Sequence, residues 1–195
     1  MLLVISGPSG VGKTTITRAV ASRVPGARVS VSVTTRPKTA ADVDGVDYSF
    51  VDDASFVAMI DRGELLEHAE VFGRRYGTPR AWVSDRLAAG DVVILEIDVQ
   101  GAMQVRSAMP EAFGVFILPP SEPELLQRLR DRKREDESAI QRRFAEAKRE
   151  IESAKTSGVY DAFVVNRELE TAINETIRVV THARLARRAE NSSKA

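Results

Sequence analysis

Short, nearly unbroken apolar runs alternate along this chain with longer stretches whose apolar positions recur every three or four residues. The runs are Leu2, Leu3, Val4 and Ile5, then 29–33, 92–97 and 115–118, with a fainter one over Phe163, Val164 and Val165. Such β-branched and aliphatic runs suit strands of a parallel sheet covered on both faces. Helical spacing predicts helices over 14–23, 54–62, 79–89, 100–107, 122–132, 137–155 and 168–188. In the sixth of these, Ile140, Phe144, Ala147 and Ile151 fall on one stripe that faces a core. Strands alternating with helices predict an α/β fold, three layers about a parallel sheet core, with right-handed crossovers. The stretch 34–76 breaks the rhythm. It is rich in Asp, Gly and Thr, with strand-like pieces at 48–51 and 65–67, and predicts a subdomain inserted where open α/β sheets place their ligands.

Composition narrows the function classes. A chain of 195 residues without a Pro/Gly/Ser linker is expected to form one domain. Its 28 basic and 28 acidic side chains cancel, so no global field draws it to nucleic acid or to an anionic membrane, and anion binding must be local. The absence of cysteine excludes disulfides, thiolate metal sites and cysteine nucleophiles. No apolar stretch approaches the ~20 residues of a membrane helix, and the first strand begins at residue 2, leaving no room for a leader; a cytoplasmic protein is expected. The tail 189–195 has the composition of a disordered segment. Oligomeric state is open at this level.

Between the first apolar run and the first helix lie Gly7, Pro8, Ser9, Gly10, Val11, Gly12, Lys13 and Thr14, the pattern of a phosphate-binding loop, followed by Thr15. Glycines let the backbone wrap an anion with its N–H groups inward, and the helix N-terminus adds partial positive charge. Lys13 then reaches the β- and γ-phosphates of a nucleoside triphosphate, and the Thr14 hydroxyl holds Mg²⁺. The run 92–95 ends in Glu96, an acidic residue placed to organise the same metal. Asp98, two residues on, has a second reading as the cap of the next helix.

The polar groups of the interrupted stretch make a further set. Ser32, Thr34, Thr35 and Arg36, then Tyr48, then Leu65, Leu66, Glu67 and His68 leading to Phe72 and Gly73, then Tyr76, Gly77 and Thr78, stand in an order that resembles the guanylate kinase family, and the likeness runs on to Asn166. The resemblance implies a P-loop fold with an inserted GMP-binding subdomain and a helical lid, divided as core 1–33, 79–127 and 144–188, GMP subdomain 34–78 and lid 128–143. It implies that Arg36, Tyr48 and Tyr76 grip the phosphate of GMP, and that Glu67 reads guanine with help from Ser32, Thr78 and Asp98. A carboxylate can accept from guanine N1–H and the 2-amino group together, whereas adenine turns a lone pair toward it. Lys13, Arg128, Arg132 and Arg143 would neutralise the transferring group, and Asn166 would lie near adenine. ATP and GMP are the implied substrates and Mg²⁺ the implied cofactor.

Departures from the family pattern carry expectations of their own. Thr39, Ala41 and Asp42 stand where a second arginine and Gly-Glu are usual, with Lys38 displaced by one residue; weaker GMP affinity is expected. Asp131 and Lys133 replace glycines beside the central lid arginine, which predicts a stiffer hinge. Trp82 and Phe72 read as core, His68 as packing beside Glu67, and His182 as surface. Two alternatives stay open: a noncatalytic guanylate-kinase-like module that binds peptides, and a kinase for another nucleotide or a ribose phosphate.

Overall fold

The computed structural model describes residues 1–131 and 136–192. In chain order the elements are β1 (Leu2–Ser6), α1 (Lys13–Arg23), β2 (Ala27–Val29), β3 (Val33–Thr34), β4 (Ser49–Phe50), α2 (Asp53–Asp61), β5 (Leu65–Val71) and β6 (Arg74–Pro79). Then come α3 (Arg80–Ala88), β7 (Val92–Glu96), α4 (Val99–Ala108), β8 (Phe113–Leu118), α5 (Glu122–Asp131), α6 (Glu137–Ser157), β9 (Ala162–Val165) and α7 (Leu169–Ser192).

Five strands form a parallel sheet in the order β2-β7-β1-β8-β9. The apolar runs are unbroken because both faces are covered and the pleat divides each run between them. Leu2, Val4, Val93, Leu95 and Phe116 pack on one face with Val83, Val105 and Ala154. Leu3, Ile5, Val92, Ile94, Val115 and Ile117 pack on the other with Ile16, Val20 and Val180.

A second, four-stranded sheet, β4-β3-β6-β5, is built from residues 33–79 and has its own small core of Val33, Phe56 and Leu65 beneath α2. Here sequence and structure part. The run 29–33 is not one strand: β2 ends at Val29 in the first sheet, and β3 starts at Val33 in the second, so polar Ser30 and Ser32 fall at the crossing. The strand-like pieces grow as well, with β5 reaching Val71 and turning through Phe72 and Gly73 into β6. Both turn residues have positive φ, 50° at Phe72 and 70° at Gly73, the geometry of a tight hairpin. Phe72 is therefore 58% exposed at a hairpin tip rather than core. At the other end, α7 continues to Ser192, through the first four residues that composition assigned to disorder; Ala189 and Glu190 are good helix formers that extend the preceding turns.

Candidate active site

The phosphate loop joins β1 to α1. Gly12 sits at φ 95° at the start of α1, and a Cβ there would lie 2.7 Å from Asn166 Nδ2. Asn166 is buried, and that amide donates to Val11 O at 2.7 Å. Its side chain thus braces the loop's backbone from the end of β9. The Lys13 ammonium donates to Gly7 O across the loop, and Thr15 is exposed one residue beyond Thr14.

Thr14 Oγ1 donates to Glu96 Oε1 at 2.6 Å, which brings together a hydroxyl and a carboxylate at the end of β7. Two hard oxygen donors beside a phosphate loop fit Mg²⁺, which keeps most of its water and takes its other ligands from substrate phosphates. Among the described residues no cluster of three or more acidic or histidine side chains could hold a metal alone. Ser32 and Tyr48 line the same cavity of about 480 Å³ as Thr14 and Glu96.

Across the cleft, the pleat of the second sheet turns Glu67, Tyr76 and Thr78 to one side. Glu67 is 3% exposed, and its Oε1 accepts from Thr78 Oγ1 at 2.6 Å. Burial pushes its carboxyl up to about 7, the Thr78 hydroxyl opposes that rise, and the charge of Asp98 adds to it. Gly101 makes the arrangement possible: a Cβ there would collide with Glu67 Oε2 and come within 3.0 Å of its Cδ. Asp98 caps α4 by accepting from Gly101 N at 2.8 Å, and burial raises its carboxyl above the usual range. Gly101 therefore serves both carboxylates, one through its N–H and one through its missing side chain. His68 turns outward; its backbone, not its ring, is tied to Gln104.

The proposed phosphate grips are also neighbours. Arg36 lies 5.1 Å above the Tyr48 ring and 5.5 Å from Phe50, and the Tyr48 and Tyr76 rings meet edge-on at 5.8 Å. Its guanidinium donates to both oxygens of Asp42, at 3.0 and 2.8 Å, which holds that carboxyl well below the usual range. Thr39 donates to the same Asp42 through N and Oγ1, so the 36–42 loop folds onto its own aspartate. Lys38 is exposed and does not line the cleft of about 700 Å³ that Arg36 and Tyr76 share with Arg143.

Arg143, on α6, donates to Ser9 Oγ of the phosphate loop at 2.8 Å and lies 5.7 Å from the Phe72 ring. It touches both halves of the cleft. Arg128 donates to Asn166 O at 2.9 Å, which ties α5 to the brace of the loop. Arg132 lies outside the described residues.

Sequence reasoning missed Gly101, Phe72 and Glu150. The last is an α6 carboxyl pushed up to about 7 by burial, opposed by the charge of Lys13 and reinforced by Asp98. Glu150 stands seven residues after Arg143, hence on the same helix face, and that spacing was a legible signal.

The family model for guanylate kinase matches residues 1–183. Guanylate kinase of Thermobifida fusca is 48% identical over 179 residues, 92% of this chain and 90% of that protein. That of Thermosynechococcus vestitus is 50% identical over 172 residues, 88% of each. The crystal structure of guanylate kinase from Anaplasma phagocytophilum superposes with a TM-score of 0.77 at 33% identity, covering 93% of this chain and 85% of that one.

Proposed function

The chain belongs to the guanylate kinase family, and from that membership we propose how its residues move a phosphoryl group. It is a kinase that converts ATP and GMP to ADP and GDP. We assign ATP to the phosphate loop and GMP to the face carrying Glu67, Thr78, Tyr76 and Arg36. The observation that carries this assignment is the buried Glu67–Thr78 pair, a carboxyl with no ion pair among the described residues, linked to the Lys13 loop through Asp98, whose charge acts on Glu67 and is itself acted on by Lys13.

GMP phosphate, with a second pKa near ~6, is largely ionised at neutral pH and attacks without a general base. Its oxygen is aligned with the γ-phosphate by Arg36, Tyr48 and Tyr76, and the developing charge meets Lys13, Arg128, Arg132 and Arg143. Thr14 and Glu96 would hold Mg²⁺, which neutralises charge on the β- and γ-phosphates when bound. The bridge that Arg143 makes between Ser9 and Phe72 supports closure of 34–78 and the lid 128–143 upon the core 1–33, 79–127 and 144–188, with water excluded. Glu67 on guanine makes AMP a poor acceptor. We propose a role in purine nucleotide metabolism in the cytoplasm. Among the described residues no helix is long and apolar enough to cross a membrane. We assign it no nucleic-acid partner.

The test is ADP formation from ATP and Mg²⁺ with GMP, AMP, CMP and UMP offered separately, beside a Lys13→Ala control. Turnover with GMP alone, lost in the control, is expected. Equal turnover with AMP would remove guanine from the site, and silence with all four would favour a noncatalytic module.

A further inference from the structure

We propose that Arg74 binds the acceptor phosphate, supplying the second guanidinium that Thr39 does not. The inference rests on the assignment of GMP to this face of the second sheet.

Strand β6 pairs with β3 in a register that sets Val33 opposite Gly77 and Thr34 opposite Tyr76. The pairing continues, since Thr35 N donates to Arg75 O at 3.0 Å and Arg75 N to Thr35 Oγ1 at 3.0 Å. Counting one position further sets Arg36 opposite Arg74. Alternation along β6 puts Arg74, Tyr76 and Thr78 on one face, each roughly 7 Å from the next. Thr78 meets Glu67 at the base end of that face, Tyr76 follows, and Arg74 stands at the phosphate end. The other face is turned to α2, where Gly77 approaches Phe56 and the Arg75 guanidinium lies 3.9 Å from Asp53.

Like charges at directly opposed positions of a sheet repel. Asp42 offsets the charge of Arg36, and because both its oxygens are taken by Arg36 and Thr39 it leaves that of Arg74 uncompensated. Among the described residues the Arg74 side chain makes no hydrogen bond or ion pair. Arg36, Arg74, Arg142, Arg143 and Arg149 line the cleft of about 700 Å³, and its one carboxylate, Glu146, is paired with Arg149. A dianionic phosphate between Arg36 and Arg74 takes the place of Asp42 on the first and gives the second the counter-charge it lacks, a two-sided grip with guanidinium forks matched to its oxygens.

The test is steady-state kinetics on the full chain at saturating ATP. Arg74→Gln is expected to raise KM for GMP about tenfold or more, as for loss of a charged hydrogen bond. KM for ATP should not move, and Thr39→Arg in the same chain should recover most of the loss. Arg75→Gln, on the α2 face, should match the parent. Arg74→Lys, which keeps a point charge without the fork, should fall between and serves if the glutamine variant folds poorly. A KM for GMP within about twofold of the parent in Arg74→Gln overturns the proposal, as does a rise that Thr39→Arg leaves untouched. Arg36→Gln separates the two levels: if it raises KM for GMP and Arg74→Gln does not, only Arg74 is dismissed. If neither does, the GMP assignment falls with it.

Discussion

Glu67 carries the most consequential physical chemistry of any single residue here. Its carboxyl is buried against Thr78 and Gly101 and rises to about 7, yet in the proposed GMP complex it must be ionised to accept from both guanine donors. GMP binding should therefore weaken as pH falls through about 7, by up to tenfold per unit, and level off above it. The substrate's own phosphate titrates near ~6, so the comparison is between the parent and Glu67→Gln. KM for GMP measured from pH 6 to 8.5, a range of about two and a half units, should slope more steeply in the parent than in the variant. Equal slopes would remove Glu67 from the base. The effect on stability has the opposite sign. A carboxyl raised on folding contributes stability below its unfolded value, and that contribution is lost as pH rises through about 7. Glu67→Gln should accordingly gain stability relative to the parent at pH 8, roughly one unit above that value, as read by thermal unfolding.

Among the elements, the second sheet is the most vulnerable, because a few residues cover one face of it. Phe56 is wholly buried between Val33 and Leu65, and truncating it should cost about 3–5 kcal/mol. That core is separate from the two clusters flanking the parallel sheet, so Phe56→Ala should loosen 33–79 before the rest. Amide exchange should quicken there while β1 and β7 keep their protection, and uniform acceleration would show one cooperative unit instead. The same division explains what the sequence disclosed. Strands of the parallel sheet were legible because burial on both faces leaves an uninterrupted apolar signature, as in Leu2 to Ile5. β6 was not, since Arg74, Tyr76 and Thr78 form the face toward the cleft and Arg75 and Gly77 fall on the other, so no apolar alternation survives. Val29 and Val33 looked continuous because nothing local distinguishes a strand from the link between two sheets. Gly101 was not legible, for its reason is a carboxylate on another sheet, 34 positions earlier in the chain.

At the scale of the whole molecule, charge that sums to zero is locally segregated: arginines gather about the phosphate cleft, while Glu67 is buried and Asp98 and Glu150 are half-buried. The phosphate loop at the end of the parallel sheet and the hairpin tip of the smaller sheet meet through Arg143, where the proposed substrates would bring their negative charge. The order of the phosphate loop and of the polar residues from Ser32 to Thr78 was enough to identify this arrangement in outline. The bracing of Val11 by Asn166 and the self-closure of the Arg36 loop on Asp42 required the fold, because each joins residues by geometry that spacing does not encode. Selectivity at Glu67 is the claim on which the rest depends. It is tested most directly by the ratio of kcat/KM for GMP over AMP in the parent and in Glu67→Ala. A ratio of roughly 10⁴ or more, collapsing at least about a hundredfold in the variant while KM for ATP holds, is predicted. An unchanged ratio would contradict it.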